Sequence, residues 1–179
     1  MKSLDQTPAG STSDTAPEQA VASLVIGSQV GELVALASGR GLCGLYFGHR
    51  IDRVSLPGGG SGNELLGEVE AQFDEYFSGR RTAFDLPLDA AGTPFQLAVW
   101  ERLSAIPFGQ TRSYRDIAVE LGKPGASRAV GLANGANPIS VVVPCHRVIG
   151  ADGSLTGFGG GLAIKQRLLE HEGVLLAVA

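Results

Sequence analysis

Two capping boxes constrain this chain more than any other feature of it. In "TPFQLAVWERLSAI" Thr93 stands three residues before Gln96, with Pro94 at the first helical position, and in "SYRDIAVELG" Ser113 stands three residues before Asp116. Each box pairs a hydroxyl that accepts from a free backbone N–H with a side chain that reaches back to the cap, so each fixes where a helix starts. Phe95, Val99 and Leu103 then recur on one face of the first helix, and Tyr114, Ile117 and Leu121 on one face of the second, which Gly122 ends. A "GKPG" turn leads into "ASRAVGLANGANP", a short helix of small residues: Ala126, Ala129, Gly131, Ala133, Gly135 and Ala136. The last two helices form a helix-turn-helix candidate. Small residues permit close backbone approach, either to another helix or to DNA. Periodicity alone favours packing, whereas Arg128, a long cation among Ala and Gly, suits phosphate contact or insertion into a groove.

The N-terminal half has a different period. From Ala22 to Phe47, three short apolar runs separated by Gly-containing turns predict an antiparallel meander, and Asn63 caps a helix with Leu66, Val69, Phe73 and Phe77 on one face. These elements make an α+β scaffold over residues 21–85 that shows no obvious chemistry. A linker follows at 86–92 and a second domain at 93–179. The first twenty residues, rich in Ser, Thr, Pro and acidic groups, read as a disordered tail.

No apolar stretch is long enough to cross a bilayer, and the N-terminus lacks a secretion signal, so the expectation is a cytoplasmic protein with no membrane partner. The net charge of -4 does not advertise nucleic-acid binding. Its distribution is more informative. Residues 1–93 carry 6 Lys and Arg against 12 Asp and Glu, whereas residues 94–179 carry 8 against 6, so a polyanion should meet the C-terminal half.

The chemistry lies in "NPISVVVPCHRVIG", where an apolar run that reads as a buried strand ends at Cys145 and His146. Three roles are open to that thiol: inert core residue, metal ligand or nucleophile. The abrupt end of the strand places the sulfur at a terminus, where it is reachable and where sites are built. With only two cysteines and three histidines, scattered along the chain, a zinc site lacks ligands, and a disulfide between Cys43 and Cys145 is not expected in a reducing compartment. Cys43, inside an apolar strand, reads as core. An unperturbed thiol is only about 3% thiolate at neutral pH, so a nucleophilic Cys145 needs a partner. His146 is the nearest. Adjacent residues of an extended segment point apart, so a bridging water or a backbone turn would connect them. Glu172, at the end of "LAIKQRLLEHEG", could orient the imidazole, although a terminal Glu is often simply exposed.

Taken together, "NPISVVVPCHRVIG", "SYRDIA", "GASRAVGLANGANP" and "LLEHEG" closely resemble the methylated-DNA--protein-cysteine methyltransferases, suicide proteins that repair alkylated guanine. The resemblance spans Thr93 to Leu176. It implies a ribonuclease-H-like N-terminal domain and a winged-helix-like C-terminal domain that meets double-stranded DNA through the minor groove. It implies no cofactor and no metal, with a monomer as the working unit and clustering along DNA left open. Cys145 would accept the alkyl group, with His146 activating it through a water and Glu172 holding the His. Asn137 would tie the recognition helix to the active-site strand. Arg128 would fill the gap left by the flipped nucleotide, and Tyr114 would crowd the adjacent phosphate and protonate the departing base. Ala126, Ser127, Ala129 and Gly131 would face DNA, and Val148, Phe158, Gly159 and Ser140 would form the base pocket. The family commonly carries Tyr at position 158, often Ser or Ala at 159 and in some members Pro at 140, so this chain departs from it at three pocket positions. The rivals are a lesion-binding protein without transfer activity, which would lack the Cys, and a Cys-His hydrolase, which would turn over.

Overall fold

The computed structural model describes residues 19–48, 56–57 and 62–174, and residues 1–18 of the expected tail lie outside them. Strands β1 (Ala22–Ile26), β2 (Leu33–Ala37) and β3 (Leu42–Phe47) form the expected antiparallel meander in the order β1-β2-β3. β2 is buried on both faces. Leu33, Ala35 and Ala37 join the main core, while Val34 and Leu36 pack with Cys43 in a separate small cluster. The register slips where Leu36 pairs with Gly44 and Ala37 with Leu42, which leaves Cys43 without a Cα partner in a bulge. Burial and the Asp89 charge push the Cys43 thiol up to about 11, as expected of an inert core residue.

Helix α1 (Glu64–Phe77) starts where Asn63 accepts from the Leu66 N–H and packs on β1 and β2. Its buried face is Leu66, Val69, Gln72, Phe73 and Tyr76. Phe77, expected on that face, is only half-buried, and Tyr76 is the aromatic that becomes fully enclosed. Residues 86–92 are held against the sheet. The Leu42 N–H donates to the Pro87 carbonyl and the Asp89 N–H to the Leu42 carbonyl, both at 2.8 Å, so the connection runs beside β3. Arg40 and Ser38 anchor it through the Asp89 carboxylate.

Both capping boxes form. Helix α2 (Pro94–Ser104) is capped by Thr93 and Gln96, and helix α3 (Tyr114–Glu120) by Ser113 and Asp116. Helix α4 (Ser127–Gly135) packs on both, and Trp100 of α2 donates its indole N–H to the Ala133 carbonyl at 2.8 Å. Short strands β4 (Arg112–Ser113) and β5 (Val148–Ile149) pair in parallel, and α5 (Leu162–His171) closes the described chain. The architecture is α+β, a small sheet domain followed by a helical one. Among the described residues, no helix is long and apolar enough to cross a membrane.

Candidate active site

The apolar run before Cys145 is not the expected strand. Ile139 bridges to Leu45 of β3, with the Leu45 N–H donating to the Pro138 carbonyl at 2.7 Å, and the chain then turns back on itself at Val141 and Val142. Val141 takes φ 72°, a left-handed conformation that costs a β-branched residue about 1–3 kcal/mol and needs outside support. Asn137 supplies it. Its Oδ1 accepts from the Ile139 N–H at 3.0 Å, and its Nδ2 donates to the Val143 carbonyl at 2.8 Å, which replaces strand partners with one side chain.

That turn delivers Cys145 into a single 3-10 turn, Cys145–Arg147, which packs on α2 and α5. Cys145 is only 4% exposed, against the expectation of a reachable sulfur. Burial pushes it above its usual range. The Asn137 side chain, the Lys165 charge and the Cys145 and Val141 backbone amides pull the other way. The site therefore keeps a protonated thiol at rest, in surroundings that favour its anion once the proton leaves.

His146 is fully buried, and Nε2 lies 2.8 Å from Glu172 Oε1. Its Nδ1 is buried with no hydrogen-bond partner among the described residues. Burial holds the imidazole below its ordinary value, although Glu172 opposes this, so the ring is neutral at rest. Glu172, at the C-cap of α5, is 4% exposed rather than solvated. Arg147 grips it at two points, Nε to Oε2 at 2.8 Å and Nη2 to Oε1 at 2.9 Å, while its Nη1 donates to the Ile106 carbonyl. The Gly109 N–H donates to Oε2 at 3.2 Å, and the Tyr76 hydroxyl to Oε1 at 2.7 Å. Burial pushes the Glu172 carboxyl up, but hydrogen bonds from His146 and Arg147 and their charges outweigh it and bring it down to about 2. The carboxylate is ionised at neutral pH and can stabilise an imidazolium beside it.

A separate cleft of about 600 Å³ opens between α4 and the loop before α5, lined by Tyr114, Ser127, Arg128, Gly131 and Leu132 on one side and by Thr156, Phe158 and Gly159 on the other. Thr156 Oγ1 donates to the Tyr114 hydroxyl across it at 3.3 Å. Arg128 is exposed and forms no ion pair among the described residues. Phe158 joins the cleft to the buried site, since its ring meets the His146 ring edge-on with centroids 6.5 Å apart.

The structure thus gathers Cys145, His146, Glu172 and Asn137 in one buried cluster, and Tyr114, Ser127, Arg128, Gly131, Phe158 and Gly159 around the cleft. Ser140 and Val148 are buried and do not line the cleft, and neither does Ala126, the residue before α4, nor Ala129 on α4. The Ser140 N–H donates to the Leu45 carbonyl at 3.2 Å, and the Val148 carbonyl accepts from Lys165 at 2.6 Å. Sequence reasoning missed Arg147, Lys165 and Tyr76. Lys165 is fully buried, and its Nζ donates to Val148 and Thr156 carbonyls that flank the loop; burial lowers it to about 8, and a Cys145 anion would raise it. One signal for Arg147 was available: a cation beside "CH" at the end of an apolar run needs a buried anion.

Residues 94–174 match the profile of the 6-O-methylguanine DNA methyltransferase DNA binding domain, and residues 21–90 that of its ribonuclease-like domain. The chain belongs to the methylated-DNA--protein-cysteine methyltransferase family. A Methanosarcina barkeri methylated-DNA--protein-cysteine methyltransferase is 46% identical over 149 residues, 83% of this chain and 94% of the relative. One from Mycobacterium leprae is 48% identical over 145 residues, 81% of this chain and 88% of the relative. Among solved structures, Mycobacterium tuberculosis OGT in complex with DNA superposes with a TM-score of 0.72 at 47% identity, covering 83% of this chain and 90% of that one. Family membership assigns the N-terminal sheet domain as the ribonuclease-like domain and the helical C-terminal domain as the DNA-binding one.

Proposed function

We propose that this chain repairs O6-alkylguanine in duplex DNA by a single irreversible transfer of the alkyl group to Cys145. The observation that carries this reading is a buried thiol held beside a closed His146–Glu172–Arg147 ion network, with one imidazole nitrogen left for a proton. In the proposed reaction the Cys145 proton passes through a water to His146 Nδ1, and Glu172 stabilises the imidazolium at Nε2. The Cys145 sulfur then bonds to the alkyl carbon as the carbon–O6 bond breaks, its electron pair leaving on guanine. The base takes a proton from the Tyr114 hydroxyl, and the phenolate is reprotonated through water as the His146 imidazolium gives up the proton that came from Cys145. The product thioether has no easy return path, so each molecule is spent.

Arg128 and the small-residue face of α4 meet the minor groove, and the flipped base enters the cleft between Tyr114 and Phe158. Phe158 offers the base only packing, where a Tyr would add a hydroxyl. The protein acts as a monomer in the cytoplasm, where a free thiol stays reduced. The test is stoichiometry with an oligonucleotide carrying one O6-methylguanine: product should stop at one equivalent per protein, and Cys145→Ala should form none. Continued turnover would instead indicate a hydrolase, and tight binding without product a lesion sensor.

A further inference from the structure

The Tyr76 hydroxyl crosses from α1 of the N-terminal domain to donate to Glu172 Oε1 at 2.7 Å, a contact between residues 96 positions apart. It is fully buried, and its ring is wedged among Phe73, Phe77, Phe84, Phe108 and His171. Burial and the Glu172 charge push this phenol far above its usual range, so it remains a donor across the whole working pH range.

Oε1 therefore serves three donors at once: Tyr76 Oη, His146 Nε2 at 2.8 Å and Arg147 Nη2 at 2.9 Å. A carboxylate oxygen has about two lone-pair directions, so three donors share its acceptor strength, and what Tyr76 draws is withheld from the imidazole. Removing only the hydroxyl would leave Glu172 ionised, because Arg147 and the Gly109 N–H remain, yet would free Oε1 to hold an imidazolium more strongly.

We propose that Tyr76 is a positioning residue for the alkyl transfer: it shares Glu172 Oε1 with His146 and so sets how readily His146 takes up a proton. The N-terminal domain is then part of the active site and not only a scaffold. The inference rests on His146 acting as the base for Cys145. The other titratable or charged groups around the pair are Cys145 and Arg147 on its own turn and Lys165 and His171 on α5; His171 contacts Tyr76 through Nε2, 2.8 Å from the Tyr76 carbonyl.

The test uses Tyr76→Phe in the full chain, a change that keeps the packed ring. Two quantities are measured against pH: the NMR titration of His146 and the single-turnover rate of methyl transfer. The expected result is an upward shift of the His146 titration, and of the acid limb of the rate profile, by about half a pH unit or more, as one donor to a shared carboxylate is withdrawn. Thermal stability falls as well, but a purely structural hydroxyl would lower stability and leave both titrations where they were, which would overturn the proposal. Tyr76→Leu, which removes ring and hydroxyl together, should show the same shift with a larger loss of stability; a shift in neither variant sinks the inference. His146→Ala serves as the separate control. If it transfers methyl as fast as the parent, the base assignment itself fails; if it is slow while Tyr76→Phe is unshifted, only the Tyr76 inference fails.

Discussion

Asn137 Nδ2 lies 2.8 Å from the carbonyl oxygen of Val143, and this bond, with the Ile139 N–H on Asn137 Oδ1, closes the turn that carries Cys145. Asn137→Ala would leave the buried Ile139 N–H unpaired, at a cost of about 1–3 kcal/mol, and would take from the Val143 carbonyl one of its two donors, the Cys145 N–H at 2.8 Å remaining. The expected outcome is a fold weaker by about 1–3 kcal/mol in a denaturant titration, together with a less acidic Cys145 thiol, because the amide also stabilises the anion. Rates of thiol alkylation against pH would report the second effect. An unchanged alkylation profile would contradict the place given to Asn137 beside the sulfur.

The Glu172 network predicts how the fold responds to acid. Glu172 falls from 4.5 to about 2 in the fold, so its stabilisation is complete above its unfolded value and disappears as pH drops toward 2. His146 is also held low, which makes the unfolded chain take up its proton first, near pH 6.5, and stability begins to decline there. Urea midpoints should therefore fall slightly between about pH 7 and 5 and steeply between about pH 5 and 2, with Glu172 alone responsible for about 3 kcal/mol. In Glu172→Gln the steep fall should flatten. Parallel curves for parent and variant would count against the buried carboxylate.

Arg128 is exposed at the mouth of the cleft, without an ion pair among the described residues. Extruding a nucleotide costs a few kcal/mol, and a side chain that occupies the vacated space offsets part of that cost. Arg128→Ala should slow repair in duplex DNA by about tenfold or more, the effect of losing about 1.4 kcal/mol. Reaction with free benzylguanine needs no flipping and should be nearly unchanged. Equal loss on both substrates would make α4 a packing element, and no loss on either would make Arg128 a solvated cation.

Local chemistry was legible in the sequence wherever one segment decides its own structure. The Thr93 and Ser113 boxes and the Asn63 cap form as read, because their partners lie three residues away. The run "ISVVV" misleads for the opposite reason: its β-branched residues favour a strand, but the Asn137 amide pairs with the backbone at both ends and folds the run into a turn, with Val141 at positive φ. Cys145, His146 and Glu172 were legible through resemblance and do converge. Tyr76 and Lys165 were not, since a Tyr on a helix face and a Lys in "LAIKQRLL" look like an ordinary aromatic and a solvated cation until the fold supplies Glu172 to one and two loop carbonyls to the other. The near-complete burial of Cys145 was equally invisible, because a cysteine at the end of an apolar run does not show what packs over it.

The most direct test of the central claim is the intact mass of the protein after mixing with an oligonucleotide that holds one O6-methylguanine, followed by peptide mapping. The account predicts a gain of one methyl group, carried on Cys145 as a thioether and absent in Cys145→Ala. A methyl group on Cys43, or complete loss of the lesion with no change in protein mass, would contradict it.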